Sequence, residues 1–163
     1  MREAFSLIVE NYDQRLYWHI RRMVQVHDDA DDVLQECFIK VWKNLPSFRS
    51  DSSVYTWLYR IATNEALSFL KKRKRRRSLM TDSEAAATDY LTGDTWFDEE
   101  AANARFEAAI ARLPEKQKAV FNLKYYEEMK YEEMAKVLDT SVGALKASYH
   151  HAVKKIKSIL SEN

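Results

Sequence analysis

The 163-residue chain contains only two glycines, two prolines and one cysteine. So few glycines and prolines, beside abundant Ala, Leu, Glu, Lys and Arg, argue against a turn-rich sheet protein and predict helices joined by short connections. A single cysteine excludes a disulfide within the chain. Cys37 lies in an apolar helical run, so we expect it to be a small core residue. We therefore expect an all-α protein.

The sequence also lacks long apolar runs and recognisable catalytic motifs. No stretch approaches about 18 uninterrupted apolar residues, and no signal-peptide pattern opens the chain, so we expect a cytoplasmic protein with no direct membrane insertion. There is no nucleophile elbow, glycine-rich phosphate loop or paired-histidine motif. His150 and His151 are adjacent and would face different ways on a helix. We expect neither an enzyme nor a bound metal or other cofactor.

The charges are segregated along the chain although they sum to only +1. Residues 71–77 are seven consecutive Lys or Arg, whereas residues 78–104 carry seven acids and no Lys or Arg. Local fields can therefore be large. A dense cationic run that follows aromatic residues offers contacts to phosphates and to unstacked bases, which favours a nucleic-acid partner. A solvated charged face and a localisation signal are the open alternatives.

Apolar spacing predicts three helices before the acidic segment. The first covers about residues 3–26, the second ends before Pro46, and the third runs from Val54 into the basic run after a polar loop at residues 47–53. The residues expected to share the buried face of the third helix are Val54, Trp57, Leu58, Ile61, Ala62 and Phe69. Those expected to point elsewhere are Thr56, Tyr59, Arg60, Thr63, Asn64 and Leu67.

The pattern after the acidic segment predicts a helix-turn-helix. Residues 78–97 have no sustained period and are predicted to form a flexible linker; helices follow near 98–113 and 115–126. A short helix at 131–138, a turn at 139–141 and a longer helix at 142–160 complete the motif. No acid lies between Asp139 and Glu162, which favours a DNA-binding face; an ordinary helical hairpin is the alternative.

With these segments assembled, the chain resembles a bacterial sigma factor of the extracytoplasmic-function type, in the sigma-70 family. The segments that carry the resemblance are residues 31–42, 47–51, 56–64, 113–117, 131–135 and 141–146. The resemblance implies a region 2-like domain at 1–77, a linker at 78–97 and a region 4-like domain at 98–163. It also implies RNA polymerase core, promoter DNA and an anti-sigma factor as partners.

The resemblance and the residue patterns together name candidate contacts. Contacts to the polymerase core are expected at Asp31, Asp32, Gln35 and Glu36. Contacts to DNA are expected at Phe48, Arg49, Ser50, Asp51, Tyr59, Arg60, Asn64, Lys71, Lys72, Arg73, Ser141, Lys146, Ala147, Ser148, His150, His151, Lys154 and Lys155. The loop and third helix would hold the melted minus-ten strand, and the last helix would read the minus-thirty-five element in the major groove.

Two departures from the family pattern stand out. Ser148 and His151 occupy positions where relatives often carry arginine, so in place of guanine readout by arginine we expect a different upstream sequence or a weaker contact. Asp139 stands where the turn usually has glycine. Two other functions are weighed beside a sigma factor: a free-standing helix-turn-helix regulator that binds only duplex DNA, and an interaction protein whose basic run meets RNA or acidic proteins.

Overall fold

The structure, a computed structural model, describes residues 1–80 and 98–162, and in these segments it contains seven α-helices and no strand. The helices are α1 (Arg2–Val24), α2 (His27–Asn44), α3 (Val54–Leu79), α4 (Asp98–Ala111), α5 (Glu115–Tyr125), α6 (Tyr131–Leu138) and α7 (Val142–Ser161), with a short 3-10 helix at Leu45–Ser47. The all-α class and the helix-turn-helix are confirmed. Most of the predicted linker, residues 81–97, lies outside the described residues.

The N-terminal half, residues 1–80, is a bundle of α1, α2 and α3. The apolar stripe of α1 packs inward, and Leu16, Ile20 and Met23 are fully buried. Asp28 and Asp29 lie in the first turn of α2, where carboxylates favour the positive end of the helix dipole. Cys37 is buried as predicted, and burial raises its pKa to about 12.

The predicted buried face of α3 is partly wrong. Thr56, Tyr59 and Thr63 are buried, whereas Val54 is exposed and Trp57 is only half-buried. The reason is that α3 packs against α1, α2 and α6, so it buries more than the single stripe of a surface helix. The buried hydroxyl of Thr63 is paired: Thr63 Oγ1 and His19 Nε2 share a 2.8 Å hydrogen bond.

The C-terminal half, residues 98–162, holds the helix-turn-helix formed by α6 and α7. The turn begins at Asp139, which adopts the left-handed conformation (φ 51°, ψ 50°) at the position where the resemblance led us to expect glycine. Ser141 then caps α7 by accepting a hydrogen bond from the Ala144 amide at 3.2 Å. α6 has the predicted bounds, because these local signals fix where it ends and where α7 begins.

The two halves pack against each other rather than standing apart. α3 lies against α6, and α1 and α3 both contact α5. One core cluster contains residues from both halves, including Ala66 and Leu70 of α3 with Leu123, Met134 and Val137. A second, smaller cluster lies wholly in the C-terminal half around Ile110 and Phe121. The sequence pattern indicated two helical units but not this contact between them.

Candidate nucleic-acid interface

The outer face of α7 is the first part of the candidate site. Its inner face is held by Leu145, Ala152 and Ile156, which are almost fully buried. The helix geometry therefore turns the opposite side chains outward. The predicted contact residues that are exposed on this helix are Lys146, Ala147, His150, His151, Lys154 and Lys155. Ser148 is half-buried, and exposed Ser141 is already engaged as the α7 cap.

The loop before α3 is the second part. Phe48 is half-buried and its ring lies 4.7 Å from that of Trp57, tilted by 44°. Arg49, Ser50 and Asp51 are exposed beside this ring pair, in a tight turn closed by a 2.7 Å hydrogen bond from the Asp51 amide to the Arg49 carbonyl. An aromatic pair next to exposed polar side chains can stack on a base and bond to its edge.

The candidate residues on α3 divide into exposed and engaged groups. Arg60, Asn64, Lys71 and Lys72 are exposed. Tyr59 is completely buried, so in this arrangement it cannot contact DNA. The prediction assumed that Tyr59 faced away from the core, but its ring packs against His19 of α1 and Tyr55, with Glu127 of the C-terminal half close by.

Arg73 is a further correction. It donates to the Val24 carbonyl at 3.0 Å and contacts Asp29 Oδ2 at 3.3 Å. The guanidinium thus binds a terminal carbonyl of α1 and neutralises an acid of α2, roles suited to a cation near a helix C-terminus. Its predicted phosphate contact is therefore not available in this arrangement, unlike those of the exposed Lys71 and Lys72.

The predicted polymerase contacts lie on α2. Asp32, Gln35 and Glu36 are exposed, while Asp31 is half-buried and pairs with His27 at 3.2 Å. The same exposed side continues into Ile39 and Trp42, which are 45% and 41% exposed. Sequence reasoning did not single out these two residues. The sequence did contain an indication of them: both are apolar residues of α2 that lie outside the three-four spacing of its buried residues.

A cluster of polar and aromatic side chains links the two halves, and sequence reasoning missed it as well. The Tyr55 hydroxyl donates to Glu127 Oε2 at 3.1 Å, and Arg15 pairs with the same oxygen at 3.7 Å. Arg22 lies 3.9 Å from the centre of the Tyr126 ring. Burial, and then the Glu127 carboxylate, raise the pKa of Tyr55. We call Arg15, Tyr55 and Glu127 the interdomain clasp.

Two known protein families match the chain, one in the N-terminal half and one in the C-terminal half. Residues 8–76 match the family described as Sigma-70 region 2, and residues 103–156 match Sigma-70, region 4. The chain belongs to the extracytoplasmic-function group of the sigma-70 family. Among its relatives are the RNA polymerase sigma-H factor of Pseudomonas aeruginosa, 33% identical over 98% of this chain and 87% of that protein, and the ECF RNA polymerase sigma factor SigW of Bacillus subtilis, 32% identical over 98% and 90%.

Solved structures share the fold over the whole chain. The sigma factor RpoE of Bartonella quintana, crystallised with the anti-sigma factor NepR, superimposes with a TM-score of 0.77 at 22% identity, covering 98% of both chains. CnrH, in complex with the cytosolic domain of CnrY, gives 0.73 at 23% identity, covering 100% of this chain and 91% of that one. Among the helices that the structure describes, none has the length and apolarity to cross a membrane.

The family membership decides the general function. This sigma factor directs RNA polymerase to promoters. The free-standing regulator is not favoured, because that function leaves the region 2 match over residues 8–76 unexplained.

Proposed function

We propose that this sigma factor divides promoter recognition between its halves. α7 enters the major groove of the minus-thirty-five element, and the loop at residues 48–53 with α3 captures the melted minus-ten strand. The observation that carries the proposal is the exposed outer face of α7, where cations and small side chains stand with no acid among residues 142–161. A helix so built can approach both base edges and phosphates.

The proposed readout by α7 relies on small and neutral groups. Ala147 and Ser148 lie in the N-terminal part of the helix, where a recognition helix meets base edges. Lys154 and Lys155 lie a turn or more beyond and would bind phosphates. A bidentate arginine contact to guanine is worth about 1–3 kcal/mol of discrimination. Because His151 stands at such a position, we propose weaker or different base selection upstream.

The proposed capture of melted DNA uses the N-terminal half. Phe48 and Trp57 would present aromatic surface to a flipped base, and stacking of one base is worth about 1–3 kcal/mol. Arg49 and Asp51 would bond to its edge. Lys71 and Lys72 would hold backbone phosphates beside the opened strand.

The proposed docking surface for core polymerase is the exposed side of α2. Asp32, Gln35 and Glu36 supply charge and hydrogen bonds, and Ile39 with Trp42 supplies apolar area. A polar rim beside an aromatic anchor is typical of protein interfaces. Polymerase supplies the chemistry of transcription in this proposal, and the sigma factor therefore works in the cytoplasm where polymerase acts.

An anti-sigma factor is the further partner that we propose. The structural neighbour RpoE was crystallised with the anti-sigma factor NepR, and CnrH was solved in complex with the cytosolic domain of CnrY. This chain offers a cavity of about 330 Å³ between α1 and the C-terminal half, lined by Trp18, Ile110 and Tyr126 with two arginines. An apolar helix of the antagonist would bind there and hold the two halves together. Trp18→Ala should then weaken recovery of the antagonist with the tagged protein from its native host.

Reconstituted transcription tests the proposed function. Core polymerase with this protein should start transcripts on a subset of genomic fragments from the host. Lys154→Ala with Lys155→Ala should reduce initiation by at least about tenfold, because two phosphate contacts are lost. The control is Arg105→Ala, on the exposed surface of α4. Absence of initiation on every fragment, or equal loss in the control, would contradict the proposal.

A further inference from the structure

A cavity of about 610 Å³ lies where the basic end of α3 meets the start of α5. Its lining includes five cationic side chains and one acid: Arg73, Lys74, Arg77, Lys116 and Lys118, with Glu115. Arg73 is already paired with Asp29, so the other four positive charges less one negative charge leave an excess of three. Three of these cations belong to α3 in the N-terminal half and two belong to α5 in the C-terminal half. The packing of the halves therefore brings positive charges together across the cavity. Such an arrangement calls for a counter-anion.

Lys118 is the cavity cation for which a bound anion would matter most. The residue is only 6% exposed, yet its side chain lines the cavity. None of the ion pairs found in the described part of the chain involves Lys118. Burial lowers its pKa; Glu115 raises it and Arg73 lowers it. The side chain of Lys118 is largely buried and lines the cavity with no acid of the described residues paired to it, so an anion there would supply the missing partner.

The start of α5 adds a second attraction for anions. Its N-cap is Pro114, which provides no side-chain hydrogen bond to the first turn. The backbone amides at this end and the positive end of the dipole of an 11-residue helix therefore remain available to a ligand. Lys116 stands exposed on the same first turn.

We propose that this cavity binds a polyphosphate anion of triphosphate chemistry, which bridges the two halves and stabilises their packed arrangement. Its volume lies within the range of about 300–1,000 Å³ that is usual for small-molecule sites. A tri- or tetra-anion compensates the three excess charges, whereas one phosphate would leave part of them uncompensated. The phosphate chain would contact Lys74 and Arg77 on one side and Lys116 and Lys118 on the other.

The site has a consequence for regulation that rests on the proposed function. Lys74 and Arg77 belong to the basic run that follows the proposed minus-ten contacts on α3. A bound triphosphate would occupy these cations and hold the halves together. It would therefore compete with promoter DNA for the same part of α3.

Calorimetric titration of the full chain with inorganic tripolyphosphate at about 50 mM salt tests the site, because phosphate contacts are strongest at low ionic strength. Saturable binding of one equivalent is expected, together with a higher thermal unfolding midpoint. Lys116→Gln with Lys118→Gln should weaken binding at least about tenfold, and exposed Lys116→Gln alone several-fold. Lys154→Gln with Lys155→Gln removes equal charge from α7 and should change affinity less than about twofold.

Three outcomes would overturn the site. One is unsaturable binding, and another is an equal loss of affinity in the α7 control, which would indicate general attraction to a basic protein. In the third outcome tripolyphosphate does not bind, whereas a nonspecific DNA duplex binds and Lys116→Gln weakens that binding. This result would assign the cations to contacts with DNA backbone phosphates. These titrations use neither polymerase nor promoter, so their failure leaves the proposed promoter contacts standing.

Discussion

The interdomain clasp gives the sharpest test of how this sigma factor is held in its packed form. Glu127 is the shared acceptor: Tyr55 donates to its carboxylate at 3.1 Å, and its side chain is only 10% exposed. It lies at the start of the connection between α5 and α6, followed by Glu128 in the left-handed conformation (φ 51°). Replacing Glu127 by Ala should therefore loosen the packing of the halves while leaving each helical bundle folded.

The magnitude follows from the two contacts. A hydrogen bond to a charged acceptor contributes about 1.5–3 kcal/mol. Arg15 is 52% exposed, so its ion pair adds less than about 1 kcal/mol after screening by solvent. We expect Glu127→Ala to cost about 2 kcal/mol of packing free energy, which is roughly a 30-fold shift of the equilibrium towards separated halves. Tyr55→Phe removes the same hydrogen bond and should cost about 1.5 kcal/mol.

Energy transfer between two dyes measures this shift. Cysteines placed at the exposed positions Lys43 and Ser158 would carry the dyes, since buried Cys37 should not react. Transfer should fall in both clasp variants and stay unchanged in Glu10→Ala, a control on the exposed side of α1. The double variant should show a coupling of at least about 1 kcal/mol. Additive effects, or unchanged transfer in Glu127→Ala, would refute the clasp.

Four further predictions concern individual side chains or, in the last case, a pair of them. Burial and then Arg22 lower the pKa of His19 from 6.5 to about 3, so stability is fully present above pH 6.5 and is lost as the pH falls towards 3. Between pH 7 and pH 5 the loss in urea unfolding should be about 2 kcal/mol, and it should disappear in His19→Gln; a loss retained in the variant would assign it to other groups. Cys37, with its pKa raised to about 12, should resist a thiol reagent until the chain unfolds, and rapid labelling of the native protein would contradict its burial. Ser141→Ala should cost about 1 kcal/mol in a thermal unfolding measurement, because α7 loses its cap; an unchanged midpoint would argue against that role. Lys71→Ala with Lys72→Ala should lower the slope of log affinity for promoter DNA against log salt by about 2, whereas an unaltered slope would remove both from the phosphate contacts.

The parts of the fold that depend on local chemistry were predictable from the sequence. The bounds of α6 and the start of α7 follow from Asp139 and Ser141, since a left-handed cap and a serine cap act within a few residues. The burial of Cys37 follows from its place in an apolar helical run. The outward face of α7 follows from the regular spacing of Leu145, Ala152 and Ile156.

The parts that depend on tertiary contacts could not be predicted in this way. A single buried stripe was expected on α3, but α3 packs against α1, α2 and α6, and Tyr59 is buried against His19 of α1. Arg73 was expected to be free for phosphate, but the end of α1 places the Val24 carbonyl within its reach. Neither contact leaves a periodic signal in its own segment, because each depends on a partner far away in the sequence.

The packed arrangement places an energetic condition on promoter opening. The outer face of α7 is exposed in the packed form, so the proposed reading of duplex DNA needs no change within the C-terminal half. If Tyr59 contacts melted DNA as proposed from the sequence, it must first leave its packing against His19, Tyr55 and Glu127. The clasp contributes about 2 kcal/mol to holding the halves together, in addition to the apolar core that they share. Core polymerase or DNA must then supply the free energy of separation through contacts made only with separated halves. Glu127→Ala lowers that requirement, so it should allow half-maximal initiation at a lower concentration of sigma factor than the unaltered protein needs.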